Sequence, residues 1–266
     1  MRLAITGLRS ELGALVARQA VPAAADGIHV NLAGQQANTL LHDGHAWRDF
    51  RRIAFAATRR AIRTAEASDA AVLVHASFAF VHGVDAGGKL DDPLRAHVET
   101  IRECEALALA AAVPACIVRL GYLYGAESAN LRAYRRAFRL GRPYWSGPAA
   151  PLQYHLHLHD AATALLAAAD PKRTGRTCYA TDGRPVAFRT FMDAFARRVG
   201  RAHPLHLPAI AKPLARAIIG EEHMQQVAFG MPGAPPRPSV PGWKPRFTDY
   251  RAAFDRVIDS WDGDAS

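Results

Sequence analysis

The sequence predicts an α/β fold in which helices cover both faces of a parallel sheet. Short apolar segments alternate with longer amphipathic ones along the first half of the chain, as in successive βαβ units. The segment "AVLVHAS" (71–77) has the uninterrupted apolar character of a strand that is buried on both faces. The opening "LAITGLRSELG" runs from a short strand through a glycine turn into a helix, which is typical of a phosphate-binding loop.

The remaining elements follow the same alternation before the pattern loosens. We predict strands at 3–6, 28–33, 71–77 and 116–120, helices at 11–20, 47–66, 94–112, 130–140, 160–169 and 185–200, and a strand-like "QYHLHLH" at 153–159. Residues 1–150 are expected to form the core, with 151–182 contributing back to it. Residues 183–266 are expected to form a small C-terminal substrate lobe.

Composition narrows the classes of partner. The net charge of +9 favours small anionic ligands, while no nucleic-acid-binding motif is present. No apolar run reaches the roughly 20 residues that span a bilayer, and no signal-peptide pattern precedes the first strand. The three cysteines are odd in number and widely spaced, which argues against a disulfide framework. We therefore expect a cytoplasmic protein that binds no nucleic acid and no membrane, and we leave a homodimer open.

Several motifs recur in a familiar order. They are "TGLRSELG", "VNLAG", "VLVHASFAFVHG", "IVRLGYLYG", "HLHDAA" and "GWKPRFTDY". Together they resemble the extended, atypical short-chain dehydrogenase/reductase superfamily of the NAD-dependent epimerase/dehydratase type. The resemblance implies a Rossmann-like fold and an NAD(P) site at the end of the first strand. Cofactor contacts would fall at Gly7, Arg9, Ser10, Gly13, Ala33 and Gly34.

The chain departs from that family on the side that would hold adenosine. In the family "VNLAG" belongs to the fourth strand, whereas in this chain it follows the first helix directly. Two βα units, on the order of 50 residues, are missing. We therefore predict that the opening strand lies at or near one edge of the sheet, directly beside "IHVNLA". The place for a ribose-binding acid reads Leu32-Ala33-Gly34. Ser10 replaces the middle glycine of the loop, where we expect its side chain to crowd an approaching pyrophosphate. We therefore expect no cofactor, with NAD(P) binding weakly or not at all; atypical NAD(P) contacts are the alternative.

The second departure concerns catalysis. The family uses a Tyr-x-x-x-Lys pair on a helix and a Ser or Thr on the preceding strand. Alignment places His97 and Ile101 at the pair and Phe78 at the Ser or Thr. The sequence therefore predicts a catalytic group of His97, Ser77, His82 and Tyr122, with His97 as the acid/base because an imidazole titrates near neutral pH.

Three functions follow from these departures. The leading hypothesis is a divergent protein that binds a small anionic ligand and performs cofactor-free acid/base chemistry. The alternatives are an NAD(P)-dependent oxidoreductase or epimerase with atypical contacts, and a non-catalytic binding or scaffold protein. His155, His157 and His159 would share one face of a strand, so a metal site stays open beside a structural role.

Overall fold

The computed structural model describes most of the chain. The described residues are 3–20, 27–32, 35, 49–85, 87–90, 92–148, 151–219, 221, 224, 227, 229 and 237–263. Ala33 and Gly34, which the sequence assigns to cofactor binding, lie outside this part of the chain. Within the described residues, no helix combines the length and the apolar character needed to cross a bilayer.

A parallel sheet of five strands forms the centre of the molecule. In chain order the strands are β1 (Ala4–Thr6), β2 (Ile28–Asn31), β3 (Val72–Phe78), β4 (Ala115–Leu120), β5 (Tyr122–Tyr124), β6 (Leu152–Gln153), β7 (His155–His157), β8 (Arg176–Ala180) and β9 (Val186–Ala187). The central sheet has the order β1-β2-β3-β4-β8. β1 pairs with β2, with Ala4 beside His29, and no strand of the described residues pairs with its other edge. The predicted edge position of the opening strand, directly beside "IHVNLA", is confirmed.

Helices cover both faces of this sheet. The described helices, including those of the C-terminal region, are α1 (Glu11–Ala20), α2 (Phe50–Ala67), α3 (Val81–Asp85), α4 (Asp92–Leu109), α5 (Ala129–Arg139), α6 (Leu158–Ala167), α7 (Phe188–Arg198), α8 (Lys212–Ile219) and α9 (Tyr250–Gly263). Alternation along β3 separates the two cores, because Val74 packs with α1 and α6 whereas Leu73 packs with α2 and α4. This is the predicted α/β class, a Rossmann-like sheet in which no strand of the described residues lies beyond β1.

Smaller sheets connect this core to the C-terminal elements. β5 pairs in parallel with β7, and β6 pairs antiparallel with β9. Helices α7 and α9 pack together through aromatic rings such as Phe195, Phe254 and Trp261, which belong to one continuous core cluster. Burial of such rings supplies much of the free energy of folding at this junction.

The prediction that "QYHLHLH" forms a single strand is wrong. β7 ends at His157, and α6 begins at Leu158, so His159 belongs to a helix. The His157 side chain caps this helix, because its Nδ1 accepts a hydrogen bond from the His159 backbone N–H (3.2 Å). The alternation of histidine and apolar residues predicted that the strand continues to His159, but the helix capped by His157 begins first. The three histidines therefore do not share one face of a strand.

Candidate functional site

The glycine loop after β1 keeps the backbone shape of a phosphate-binding turn. Gly7 has φ of +93°, a conformation that residues with a side chain rarely adopt. The Ser10 hydroxyl donates to the Gly7 carbonyl (2.7 Å) and accepts from the Gly13 backbone N–H (3.0 Å). Ser10 is thus the N-cap of α1, and its side chain is folded back onto the loop. The expectation that Ser10 crowds an approaching phosphate is not supported by this geometry.

The Ser10 cap satisfies only some of the backbone N–H groups in the first turn of helix α1. Gly13 and Ala14 donate to the Ser10 side chain and carbonyl, respectively. The backbone N–H groups of Glu11 and Leu12 have no acceptor within the described part of the chain. Unpaired amides at a helix N-terminus form an anion site, since the helix dipole also favours negative charge there.

Glu11 and Leu12 line a cavity of about 400 Å³. Its lining also includes Ser10 and the apolar residues Leu123 and Leu158. Arg9 also lines the cavity and is exposed, so its guanidinium can reach an anion. The cavity therefore combines amide donors, one cation and an apolar wall, which suits a phosphate-bearing ligand.

One carboxylate opposes this role. The Glu11 Oε1 accepts a hydrogen bond from the backbone N–H of Ala129, the first residue of α5 (2.8 Å). Burial raises the pKa of the Glu11 carboxyl, and the nearby negative charge of Glu127 raises this pKa further, against the lowering effect of the Ala129 hydrogen bond. Glu11 thus places a titratable negative charge in the same cavity as the free amides.

The positions of the usual catalytic residues are occupied by an aromatic cluster. Phe78 is buried, and its ring lies 5.8 Å from Phe50 and 5.7 Å from Phe80, measured between centroids. The His97 ring lies 5.5 Å from Phe50, and burial lowers the pKa of His97 to about 4. Ile101 is part of the same core, where a lysine would have stood. His97 is therefore neutral near pH 7 and donates a proton poorly.

Ser77 belongs to a different environment. Its hydroxyl donates to Glu105 Oε1 (2.5 Å), and Glu105 also accepts a bidentate pair of hydrogen bonds from Arg119 (2.8 and 2.7 Å). Arg119 further donates to Asp85 (2.5 Å) and to the Tyr179 hydroxyl (2.8 Å). Ser77 is thus part of a buried ionic network, and its proton is directed at a carboxylate.

The other two residues of the predicted catalytic group divide between these surroundings. His82 lies edge-on to Tyr179 with ring centroids 5.4 Å apart, so it borders the ionic network. Tyr122 is buried and parallel to Phe80 at 6.2 Å, so it continues the aromatic cluster. The described contacts connect His97 and Tyr122 through the aromatic cluster. Ser77 belongs to the ionic network instead, and His82 lies beside that network.

Histidines 155, 157 and 159 have separate neighbours. His155 stacks on Phe191 at 3.9 Å and His157 stacks on Phe247 at 3.9 Å. His159 Nδ1 is hydrogen-bonded to Gln19 Nε2 (3.2 Å), and His159 Nε2 is hydrogen-bonded to Glu127 Oε1 (3.1 Å). In the described residues, no group of three metal-ligating side chains converges.

A buried polar seam lies between the sheet and α9, and sequence reasoning missed it. Asp182 is 3% exposed, and burial raises its pKa to about 7, while hydrogen bonding to Arg184 N–H opposes the shift. One oxygen of Asp182 and the hydroxyls of Tyr124 and Tyr250 have no hydrogen-bond partner among the described residues. The sequence signal for this site is weak, because it consists of one acidic residue, Asp182, shortly after the apolar end of strand β8.

Asp182→Asn should stabilise the protein at alkaline pH. The pKa of Asp182 is higher in the folded state than the ordinary aspartate value of 3.8, so its contribution is fully present below pH 3.8 and is lost as pH rises through about 7. The amide keeps the oxygen that accepts from Arg184. We expect a gain of roughly 4 kcal/mol at pH 8 and less than about 1 kcal/mol near pH 4, measured by urea unfolding. An equal gain at both pH values would contradict the assignment.

Comparisons with known proteins agree with this architecture. No known family profile matches the chain. The fold aligns with a solved structure of MoeE5 in complex with UDP-glucuronic acid and NAD, with a TM-score of 0.74, 17% identity and full coverage of both chains. It also aligns with the human epimerase family protein SDR39U1 (isoform 2) with NADPH, with a TM-score of 0.73, 15% identity and coverage of 97% of this chain and 99% of that one.

The chain therefore has the Rossmann-like fold of NAD-dependent epimerases and short-chain dehydrogenase/reductases, and the resemblance found in the sequence is confirmed at the level of the fold. At the level of sequence, it is similar to a 3-diazoavenalumate denitrifying reductase from Streptomyces sp. The two are 29% identical over 215 residues, which cover 75% of this chain and 69% of that protein.

Proposed function

We propose that the chain is an atypical reductase that holds a nicotinamide nucleotide by its diphosphate and takes no proton from the usual tyrosine position. The observation that carries the proposal is the glycine loop, where Glu11 and Leu12 line a cavity and their backbone N–H groups have no acceptor among the described residues. The similar Streptomyces protein is named a reductase, and the human neighbour was solved with NADPH. Both support this reading.

The residues present fit the diphosphate better than the rest of such a cofactor. The Glu11 and Leu12 amides and Arg9 would hold the phosphates, and Leu123 and Leu158 would contact apolar ligand surface. When bound, the nicotinamide would supply a hydride. No described strand lies outside β1 to carry an adenosine site. We therefore expect a dissociation constant weaker than low micromolar, because about −8 kcal/mol would need contacts on that side.

The chain's own residues restrict the chemistry. Phe50, Phe78 and Phe80 are buried rings with no proton to give, and the Ile101 side chain cannot lower the pKa of a neighbouring acid. His97, with a pKa of about 4, is a poor proton donor at neutral pH. The suitable substrates are electrophiles whose reduced product takes its proton from solvent.

Glu11→Gln should strengthen binding of NADPH or inorganic pyrophosphate. The Gln side-chain oxygen still accepts from Ala129 N–H, so the local structure is retained while a negative charge leaves the cavity. At separations of several ångströms and an effective dielectric constant near 20, such a charge is worth about 1–2 kcal/mol. We expect affinity to rise about 5- to 30-fold at pH 8 in calorimetric titrations, and the gain to shrink as pH falls towards the raised pKa of Glu11.

Glu66→Gln is the matched control. Glu66 also accepts a hydrogen bond from a backbone N–H, that of Ala112 (3.3 Å), but it lies near the C-terminal end of α2, away from the loop. This change should leave nucleotide affinity within twofold. If neither ligand binds the parent protein or Glu11→Gln, the loop is only a structural turn and the proposal fails.

Cofactor-free acid/base chemistry by His97 is the second candidate. The described residues contain no strand outside β1, which favours this candidate because contacts to the adenosine of a dinucleotide would come from that side. In that case His97→Ala should lower turnover about 100-fold once a substrate is known, whereas the fold should persist. The pH–rate profile should show a limb near 4, the pKa of the buried imidazole, in place of one near 6.5. Full activity in both His97→Ala and His97→Gln would exclude the role.

A further inference from the structure

A second cavity, of about 620 Å³, lies among the C-terminal elements. Its lining includes Trp145, Arg189, His206, Pro208, Lys212 and Glu221, none of which lines the glycine-loop cavity. The volume falls within the usual range for small-molecule sites. An inference about this cavity is therefore independent of the function proposed for the loop.

Backbone hydrogen bonds hold its walls in place. Tyr144, which precedes Trp145, donates its N–H to the Leu205 carbonyl (3.0 Å) and accepts from Leu207 N–H (2.8 Å). This parallel bridge fixes the segment that carries His206 against the segment that carries Trp145. A wall fixed in this way loses little conformational entropy when a ligand binds.

One cation in the lining is oriented by a chain of hydrogen bonds. The Tyr144 hydroxyl donates to Asp193 Oδ1 (2.8 Å), and His206 Nε2 lies 2.8 Å from the same oxygen. His206 Nδ1 lies 3.0 Å from Arg189 Nη2. Because an arginine can only donate, Nδ1 must accept, so Nε2 carries the proton and donates to Asp193. The neutral His206 thus positions the Arg189 guanidinium while leaving most of its N–H donors free.

The charges of the lining select the ligand. Arg189 and Lys212 are positive and Glu221 is negative, so the lining carries one net positive charge. Two charged residues outside the lining contact it: Arg216 forms an ion pair with Glu221, and Asp193 lies 3.9 Å from Arg189. The positive charge of Arg216 and the negative charge of Asp193 cancel, so the net charge of the site stays at one positive charge. A single negative charge on the ligand balances the site, whereas a diphosphate would bring excess negative charge beside Glu221.

We propose that this cavity binds an aromatic monocarboxylate. The carboxylate would accept hydrogen bonds from Arg189 and the ammonium of Lys212. The ring would lie against the flat apolar surfaces of Trp145 and Pro208. Planar bidentate recognition of a carboxylate is the geometry that an oriented guanidinium favours.

Three naphthalene probes test the proposal by calorimetric titration of the full chain. 2-Naphthoate carries the carboxylate, 2-naphthamide is its neutral counterpart, and 2-naphthyl phosphate carries a second negative charge. We expect the carboxylate to bind about 10-fold more tightly than the other two. Lys212→Gln and Arg189→Gln should each weaken 2-naphthoate about 5- to 10-fold and leave 2-naphthamide within twofold.

Two further variants locate the binding. Trp145→Phe should remove the change in tryptophan emission that accompanies 2-naphthoate binding. Arg173→Gln, a change at a surface ion pair with Asp170, should alter neither affinity nor emission. Equal affinity for the acid and the amide, tighter binding of the phosphate, or insensitivity to Lys212→Gln would each overturn the proposal. A failed nucleotide titration at the glycine loop would not affect it.

Discussion

Glu105→Gln should lower the free energy of unfolding by about 3–5 kcal/mol, because it removes one partner of a buried ion pair. In the parent protein, Glu105 accepts two hydrogen bonds from Arg119 and one from Ser77, and the side chains of Glu105 and Arg119 are both 8% exposed. The Gln amide group would present N–H donors to a guanidinium that has only donors. Arg119 would keep Asp85 and the Tyr179 hydroxyl as its remaining acceptors.

A neighbouring glutamate provides the control. Glu103, two residues earlier on α4, also makes a bidentate pair, with Arg51 (3.3 and 3.1 Å), but these two side chains are 49% and 62% exposed. Solvent screening limits such a pair, so Glu103→Gln should cost at most about 1 kcal/mol. Urea unfolding monitored by circular dichroism measures both variants. Equal costs would mean that the Glu105–Arg119 pair is not desolvated.

A double variant separates the charge from the packing. In Glu105→Leu/Arg119→Met both charges leave together, so no buried cation remains without its partner. We expect it to recover part of the stability that Glu105→Gln loses, as apolar replacements of buried ion pairs often do. Ser77 would then lose its acceptor, which limits the recovery.

Much of the fold could be predicted because it depends on local patterns. Apolar runs and amphipathic stretches mark the strands and helices. The short connection from Thr6 through helix α1 to Ile28 favours β1 and β2 as neighbours, since consecutive strands usually lie side by side. The ends of "QYHLHLH" were missed because a histidine side chain caps α6, and this function of His157 leaves no periodic signal.

The candidate site was less predictable because its interactions connect distant segments. The alignment placed His97, Ile101 and Phe78 at the family's catalytic positions, whereas Ile101 and Phe78 belong to the core and His97 packs against Phe50. Only this packing indicates that the His97 pKa is low. Ser77 was predicted to face a ligand, whereas its partner, Glu105, lies 28 residues away on α4. Ser10 was expected to obstruct the loop. Its hydroxyl instead caps helix α1 by accepting a hydrogen bond from the Gly13 backbone N–H.

Gly13→Ala should destabilise the protein by roughly 3 kcal/mol, although alanine is normally the better helix former. A methyl group at Gly13 would lie 2.3 Å from the Gly7 carbonyl oxygen and 2.8 Å from the Leu8 Cα, and backbone atoms cannot rotate away as a side chain can. This contact outweighs the 0.5–1 kcal/mol that the same change gains in an unobstructed helix. The loop must shift away from α1, so nucleotide binding should be lost as well.

Gly263→Ala tests the same substitution without the contact. Gly263 ends α9, and nothing lies within 4 Å of a Cβ built there, so its stability should change by less than about 0.5 kcal/mol. Urea midpoints of both variants, together with pyrophosphate titrations, measure the difference. If Gly13→Ala were as stable as Gly263→Ala and still bound pyrophosphate, the close approach of loop and helix would be wrong. The anion site at the Glu11 and Leu12 amides would then lose its structural basis.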